Sequence, residues 1–430
     1  MSDASQSSRL GAFRWTICGL LLTATMINYM DRQILGLLKP QLQHDIGWSE
    51  VQYARIVIAF QAAYALGLAG FGRLIDKWGT KLSYGVAMVG WSLAAAGHAL
   101  VSTVMGFGIM RFLLGVGEAG NFPAAVKAVA EWFPKKERAL ATGIFNSGSN
   151  IGAVIAPAVI PLLAVTIGWR GAFVLVGALG LLWLPFWLLF YSAPGQSRRL
   201  SAEELAHIRQ DGPEESRTPV AWGALLRHRQ AWAFMVGKFL TDPIWWFYLF
   251  WLPGWLNKTY AVDLKRLGPP LVVVYLMATV GSILGGYLSS TLLGRGATPN
   301  RARKTALLIC ACGVVPVLLV VKASGVWVAV LLVGLAAASH QGWSANLFTT
   351  VSDMFPKRAV ASVTGLGGMA GSIGAILFSE VVGQVLERTG AYWVLFAIGG
   401  FAYLLALGIM HLLVPRMTPV DLDRSQESPC

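Results

Sequence analysis

The chain has 430 residues, of which 55% are apolar and only 13% charged, with a net charge of +13 and a mean hydropathy of +0.59. Soluble proteins carry about 25% charged residues, so too little polar surface is present to cover a water-facing globule, which argues against a soluble enzyme. The positive charge does not point to nucleic acid either. Lys and Arg come in short clusters between apolar stretches rather than on a basic domain with interleaved aromatics, and that distribution is one of membrane topology.

Apolar stretches of spanning length, about 20 residues each, fall at about 14–38, 51–74, 82–103, 105–130, 138–164 and 170–191, and again at about 230–257, 269–293, 304–321, 325–352, 360–386 and 391–414. The fold class predicted is an all-α membrane protein with twelve transmembrane helices in two six-helix bundles. Its expected parts are an N-terminal bundle at 1–191, a polar linker at 192–229, and a C-terminal bundle with its tail at 230–430. The first run continues through Asn28, Asp31 and Arg32 with no small-residue cleavage site, so it reads as a retained span and not a signal peptide. Basic clusters such as Arg73-Lys77-Lys81, Lys135-Lys136-Arg138, Arg198-Arg199 and Lys357-Arg358 fall on one set of connections, and few basic residues fall on the other. By the retention of positive charge on the cytoplasmic side, both termini and the linker are expected there. In the linker, Ser201-Ala-Glu-Glu204 has the pattern of a capping box opening a short surface helix. Cys18, Cys310, Cys312 and Cys430 show no CxxC spacing and no histidine cluster, so neither a metal nor any other cofactor is expected.

The two halves repeat. Phe133-Pro134-Lys135-Lys136 returns 222 residues later as Phe355-Pro356-Lys357-Arg358, and at that offset Ala139, Thr142-Gly143, Ile151-Gly152-Ala153 and Gly168 meet Ala361, Thr364-Gly365, Ile373-Gly374-Ala375 and Gly390. Parallel six-span repeats place a substrate site between the halves near mid-bilayer, for rocking between two access states.

Asn28-Tyr29-Met30-Asp31-Arg32 puts two charges inside the first span, where ionised side chains cost several kcal/mol unless paired or hydrated. Neighbouring helical positions lie about 100° apart, so Asp31 and Arg32 must find partners on different sides. Arg111 and Glu118 in the fourth span share a helix face but stand about 10 Å apart along the axis, too far for a direct bridge, so each is free to exchange partners with Asp31 and Arg32. Interhelical ion bridges that merely lock the bundle are the structural alternative. Between the second and third spans, Gly72-Arg-Leu-Ile-Asp76-Lys77-Trp-Gly79 offers an acid that can pair with a basic residue of a neighbouring span, a conformational latch. In the second copy the acid's position is Ser290, after Gly285-Gly286, so an asymmetric latch is expected.

That loop resembles the signature loop of the major facilitator superfamily. Together with Asn-Tyr-x-Asp-Arg in the first span, Arg-x6-Glu in the fourth and Phe-Pro-Lys-x-Glu-Arg at 133–138, it makes nearly the whole chain similar to the anion:cation symporters of that superfamily. The resemblance implies uptake of a small organic anion coupled to protons, with Asp31 and Glu118 titrating and with Arg32 and Arg111 alternating between those acids and a substrate carboxylate. It also implies a place near the substrate for Tyr29 and Tyr64. Where galactonate carriers of the family tend to have Gln in the fifth span, this chain reads Asn146-Ser-Gly-Ser-Asn150, which points away from an aldonate.

In the C-terminal half, His340-Gln341-Gly-Trp-Ser-Ala-Asn346 interrupts the apolar run of the tenth span, and His340 is the 222-offset counterpart of Glu118. Gln341, Asn346 and Ser372 are candidate readers of sugar hydroxyls, since amides both donate and accept. The seventh span, Thr241-Asp242-Pro-Ile-Trp245-Trp246, resembles hexuronate carriers and offers Trp245 as a face for a pyranose ring; Lys238 and Asp242, four apart, can pair with each other. No Ser/Lys, HExxH or paired-aspartate arrangement suits a membrane-embedded enzyme. The expected protein is a monomeric, proton-coupled symporter of a bacterial inner membrane that imports a sugar acid, a hexuronate first, with an aldonate or aldarate such as galactonate or glucarate, or another small carboxylate, as the alternative.

Overall fold

The computed structural model describes residues 12–48, 50–211, 220–260 and 268–422, so Cys430 lies outside the described residues. All regular structure among them is helical, and twelve spans follow the predicted order. The first is Phe13–Leu37, the second Glu50–Trp78 and the third Thr80–Gly97. The fourth is Val104–Glu118 continued by Asn121–Trp132. The fifth and sixth lie in one run, Lys135–Phe190, divided at Gly168. The second set comprises Arg229–Tyr260, Gly268–Gly294, Pro299–Val314 with a 3-10 continuation Val315–Lys322, Val326–Met354, Lys357–Thr389 and Tyr392–Leu413. Seven of the described helices are long and apolar enough to cross a membrane by length and composition alone, and Lys135–Phe190 among them holds two spans. Those that fall short include the first, which carries Arg14, Asp31 and Arg32, and the fourth, which is broken.

The repeat read from sequence is present in backbone conformation. Gly168 and its counterpart Gly390 both have positive φ, +75° and +61°, and both end a span, a conformation that glycine adopts without a Cβ clash. Phe133-Pro134 and Phe355-Pro356 are likewise extended at the two equivalent corners, each proline preceding a new helix. The halves meet through glycines. A Cβ on Gly72 would lie 2.5 Å from the Ala361 carbonyl oxygen, and one on Gly286 would lie 2.2 Å from that of Ala139; positions 139 and 361 are repeat partners. Gly143 against Ser282 and Gly365 against Leu68 are a second such pair, at 2.3 and 2.2 Å. The second span therefore packs on the eleventh as the eighth packs on the fifth, backbone against backbone.

Three expectations need correction. The fourth span is not continuous: Gly120 N–H bonds back only three residues, to Gly117, and a Cβ at 120 would come 2.7 Å from that of Ala87, so the helix breaks at 119–120. Conversely the tenth span, chemically interrupted by its polar run, is an unbroken helix. In the linker, the Ser201 hydroxyl accepts from Glu204 N–H as a capping residue should, at 3.1 Å, but Glu204 does not complete the box. Its carboxylate reaches 190 residues back and accepts from the Phe13 and Arg14 amides and the Arg14 guanidinium. The free amides of a helix start together with a cation outbid one local amide. Asp211 similarly accepts from Lys135 N–H at the start of the fifth span. With Arg73 over the Trp222 ring, Ser362 N–H on Asp76 and Arg138 on the Ser352 carbonyl, these contacts gather the linker, the loop at 73–81 and both Phe-Pro corners on one face, here called the linker face.

Candidate functional site

Helical spacing places Asp31 and Arg32 on different sides of the first span, as expected. Arg32 reaches a central cavity of about 650 Å³ between the halves, whereas Asp31 is fully buried behind it. The Arg32 guanidinium bonds the Glu118 carboxylate through Nε and Nη2 at 3.0 and 2.9 Å. Its Cζ lies 4.6, 4.8 and 5.3 Å from the ring centroids of Tyr64, Tyr29 and Phe60, and these cation–π contacts hold the guanidinium in place. Glu118 is fully buried, and its second oxygen finds no hydrogen-bond partner among the described residues. Arg111 is not on the cavity wall; one N–H group donates to the Arg32 carbonyl at 3.4 Å. Its remaining nitrogens and both Asp31 oxygens have no hydrogen-bond partner among the described residues. The four charges thus form a cluster in which only Arg32 faces the cavity.

Gly115 and Gly117 make this cluster possible. A Cβ at Gly115 would sit 2.5 Å from the Phe60 carbonyl oxygen, and one at Gly117 would sit 2.7 Å from the Trp91 nitrogen. The fourth span therefore lies close against the second and third, bringing Glu118 under the first span's Arg32.

The opposite wall is C-terminal. A chain of amides crosses between the halves: Asn146 donates to Gln341 at 2.7 Å and to the Ser282 hydroxyl at 3.1 Å, and Gln341 donates to Asn150 at 3.3 Å. Asn146 thereby uses both its N–H groups and keeps its carbonyl oxygen for a ligand. Trp245 stacks on the His340 ring at 5.2 Å and 6°, and His340 Nδ1 meets the Tyr403 hydroxyl at 2.5 Å. One face of Trp245 is thus occupied, leaving at most the other for a sugar ring. Lys238 and Asp242 do pair, at 2.7 Å, and both lie on the cavity wall.

Of the residues singled out from sequence as binding, the structure brings Tyr29, Arg32, Tyr64, Asn146, Trp245, Gln341 and Ser372 to one cavity. It does not bring Arg111, Asn150 or Asn346 there. Asn150 positions Gln341, and Asn346 donates to the Gly285 and Gly342 carbonyls at 2.8 and 2.9 Å, joining the eighth and tenth spans. A buried amide between closely packed helices satisfies backbone oxygens first. Sequence assigns no binding place to Lys238, Asp242 and Phe348, all on the wall; for the first two the signal is the spacing 238, 242, 245 of one helix face.

Between the cavity and the linker face the halves are held together by polar contacts. Asp76 pairs with Lys127 of the fourth span at 2.7 Å, and its other oxygen accepts the Ser362 N–H at 2.7 Å across the halves. Lys77 is exposed and takes no part, and Gly79, at φ +84°, turns the chain into the third span. At the repeat position Ser290 accepts the N–H of Leu140, counterpart of Ser362, at 3.3 Å. Arg138 donates to the Ser352 carbonyl at 2.6 Å, and Arg303, paired with Asp353, donates to that of Lys135 at 2.9 Å. In the other direction the space continues past Tyr64, Trp246 and Ser372 into a second cavity of about 820 Å³ that extends to Gln61 and Glu380.

The sequence profile described as Major Facilitator Superfamily matches residues 21–379. A hexuronate transporter of Escherichia coli (strain K12) is 33% identical over 388 residues, covering 89% of this chain and 90% of that one. A galacturonate transporter of Dickeya chrysanthemi is 35% identical over 285 residues, 65% of this chain and 82% of that one. Among solved structures, a proton:xylose symporter bound to 6-bromo-6-deoxy-D-glucose superposes with a TM-score of 0.74 at 14% identity over 96% of this chain and 99% of that one. With twelve helical spans, paired glycine contacts between repeated halves and a profile match over most of its length, the chain belongs to the Major Facilitator Superfamily of membrane transporters.

Proposed function

We propose that the protein is a proton-coupled symporter that imports a hexuronate, glucuronate or galacturonate, across a bacterial inner membrane. The observation that carries this reading is Arg32: one guanidinium on the wall of the central cavity, oriented by aromatic rings and paired with a buried carboxylate that a substrate carboxylate can replace. Protonation of Glu118 would release Arg32 to the substrate, and proton loss after delivery would recapture it. Asp31, buried beside Arg111, is the second candidate carrier in this scheme. Gln341, the Asn146 carbonyl and Ser372 would read hydroxyls, with Trp245 against the ring. The named transport by the hexuronate and galacturonate relatives supports the substrate class.

The moving units in this reading are 1–191 and 230–430, joined by 192–229, in a monomer whose termini and linker are cytoplasmic. The arrangement described then corresponds to a carrier closed inward and open outward, with Asp76 as the inner latch. Uptake of labelled glucuronate into proteoliposomes under an inward proton gradient tests it. Concentrative uptake, inhibited by galacturonate more than by galactonate and not by glucose, is expected. Stronger inhibition by galactonate would make the protein an aldonate carrier, and uptake indifferent to the gradient would remove proton coupling.

A further inference from the structure

The cavity wall holds a second cation that the proposed cycle does not use. Lys238 Nζ lies 2.7 Å from an Asp242 carboxylate oxygen and 4.3 Å from the centroid of Phe348, with only 8% of its side chain exposed. The structure makes room for this pairing: a Cβ on Gly371 would come 2.3 Å from Asp242 Oδ2, so the missing side chain in the eleventh span is what lets the carboxylate stand where it does. Two ion pairs therefore face one cavity, Arg32 with Glu118 from one half and Lys238 with Asp242 from the other.

Their charges are not equivalent to a ligand. On the reading of Glu118 as the proton carrier, on which this inference rests, protonation frees exactly one cation, Arg32, and the cavity then matches one carboxylate. A six-carbon diacid brings a second carboxylate, which needs a second free cation on the far wall or remains desolvated and unpaired, at a cost of several kcal/mol. Lys238 stands at that wall with its charge already taken.

We propose that Asp242 is a specificity-determining residue: by masking Lys238 it restricts the site to monoanionic sugar acids and excludes aldarates such as glucarate. Specificity of this kind comes from what the site withholds as much as from what it offers. Asp242→Asn keeps the side-chain volume beside Gly371 and unmasks the ammonium.

Direct calorimetric binding of glucarate and of glucuronate to the purified full-length protein in lipid nanodiscs tests this. Wild-type protein is expected to bind glucarate at least tenfold more weakly than glucuronate. In Asp242→Asn the ratio should shift toward glucarate by at least tenfold, and in the double variant Lys238→Gln/Asp242→Asn it should return to the wild-type preference. Asp242→Ser, neutral and smaller, makes the same comparison if the amide disturbs packing at Gly371. An unchanged ratio in both single variants, the same gain in the double variant, or equal binding of both acids by wild type would overturn the mask. Because glucarate is measured directly and not by displacement, failure of the wild type to bind glucuronate would sink the hexuronate reading separately, while the glucarate shift still decides the role of Asp242.

Discussion

Equivalent positions in the two halves carry the same backbone and different chemistry. At the linker face, Asp76 and Ser290 each follow a glycine by four residues, and each accepts the N–H of a repeat-related residue, Ser362 or Leu140. The first is a carboxylate with a buried lysine behind it, the second a hydroxyl. In the centre, Glu118 bonds a cavity-facing arginine, while its counterpart His340 stacks under a tryptophan. Glycines and prolines are duplicated because both interfaces close at backbone distance, whereas the ion pairs at the cavity stand at unmatched positions, Arg32 with Glu118 in one half and Lys238 with Asp242 in the other. In the proposed cycle the N-terminal half carries the ion pair that exchanges partners, and the C-terminal half the ring platform of His340 and Trp245.

Removing the acid from this comparison has the largest expected effect. Glu118→Gln keeps a hydrogen-bond acceptor for Arg32 but cannot release a proton, so accumulation of glucuronate against its gradient should fall to the level of equilibration while counterflow continues. His340→Gln, at the matching position, should retain concentrative uptake and lose affinity, because it withdraws the platform under Trp245. Loss of coupling in the histidine variant, with coupling intact in the glutamine variant of Glu118, would reverse the assignment of the halves.

Next in size is Asp76→Asn. Truncating one partner of a buried pair costs about 3–5 kcal/mol because the other charge is left uncompensated, and here that charge is Lys127, itself only 5% exposed. If only about 3 kcal/mol of this falls on the closed arrangement, its population relative to the open one drops roughly a hundredfold. Labelling of a cysteine introduced on the linker face should then rise sharply in the substrate-free variant, and unchanged labelling would show that the pair does not latch anything.

Arg32→Lys should be smaller, about tenfold in glucuronate affinity, since an ammonium keeps the charge but loses the fork that the aromatic rings orient. Wild-type affinity in this variant would reduce Arg32 to a counterion of Glu118. Arg32, Glu118 and the seventh-span aromatics were legible in the sequence because charge at membrane depth and helical spacing are local signals. So was the 222-residue repeat, which pairs Gly168 with Gly390, and the structure shows both at positive φ. Partners far apart in the chain were not legible: Glu204 on the Arg14 amide and Arg303 on the Lys135 carbonyl depend on which helix ends meet. Sequence places Arg111 at the cavity, and the structure does not, for the same reason. Its face of the fourth span is fixed by sequence, but the neighbour covering that face, the first span's Arg32 backbone, is fixed by packing.

The smallest effect is expected at Ser290, and it is the one that tests whether the asymmetry of the gate matters. Ser290→Ala removes one neutral hydrogen bond of 3.3 Å to the Leu140 amide. Such a bond contributes about 1 kcal/mol net, so inward closure should weaken by no more than about fivefold. Ser290→Asp is the sharper probe, because it copies the acid of the other half without its lysine. Position 349, the counterpart of Lys127, is Thr349, so the new carboxylate, half-buried, would lack the lysine that stands behind Asp76. The alanine variant should therefore transport better than the aspartate variant, although the aspartate restores the motif of the first copy. An aspartate variant that transports as well as wild type would mean that the latch works through the Ser362-type amide contact alone and that Lys127 contributes nothing to it.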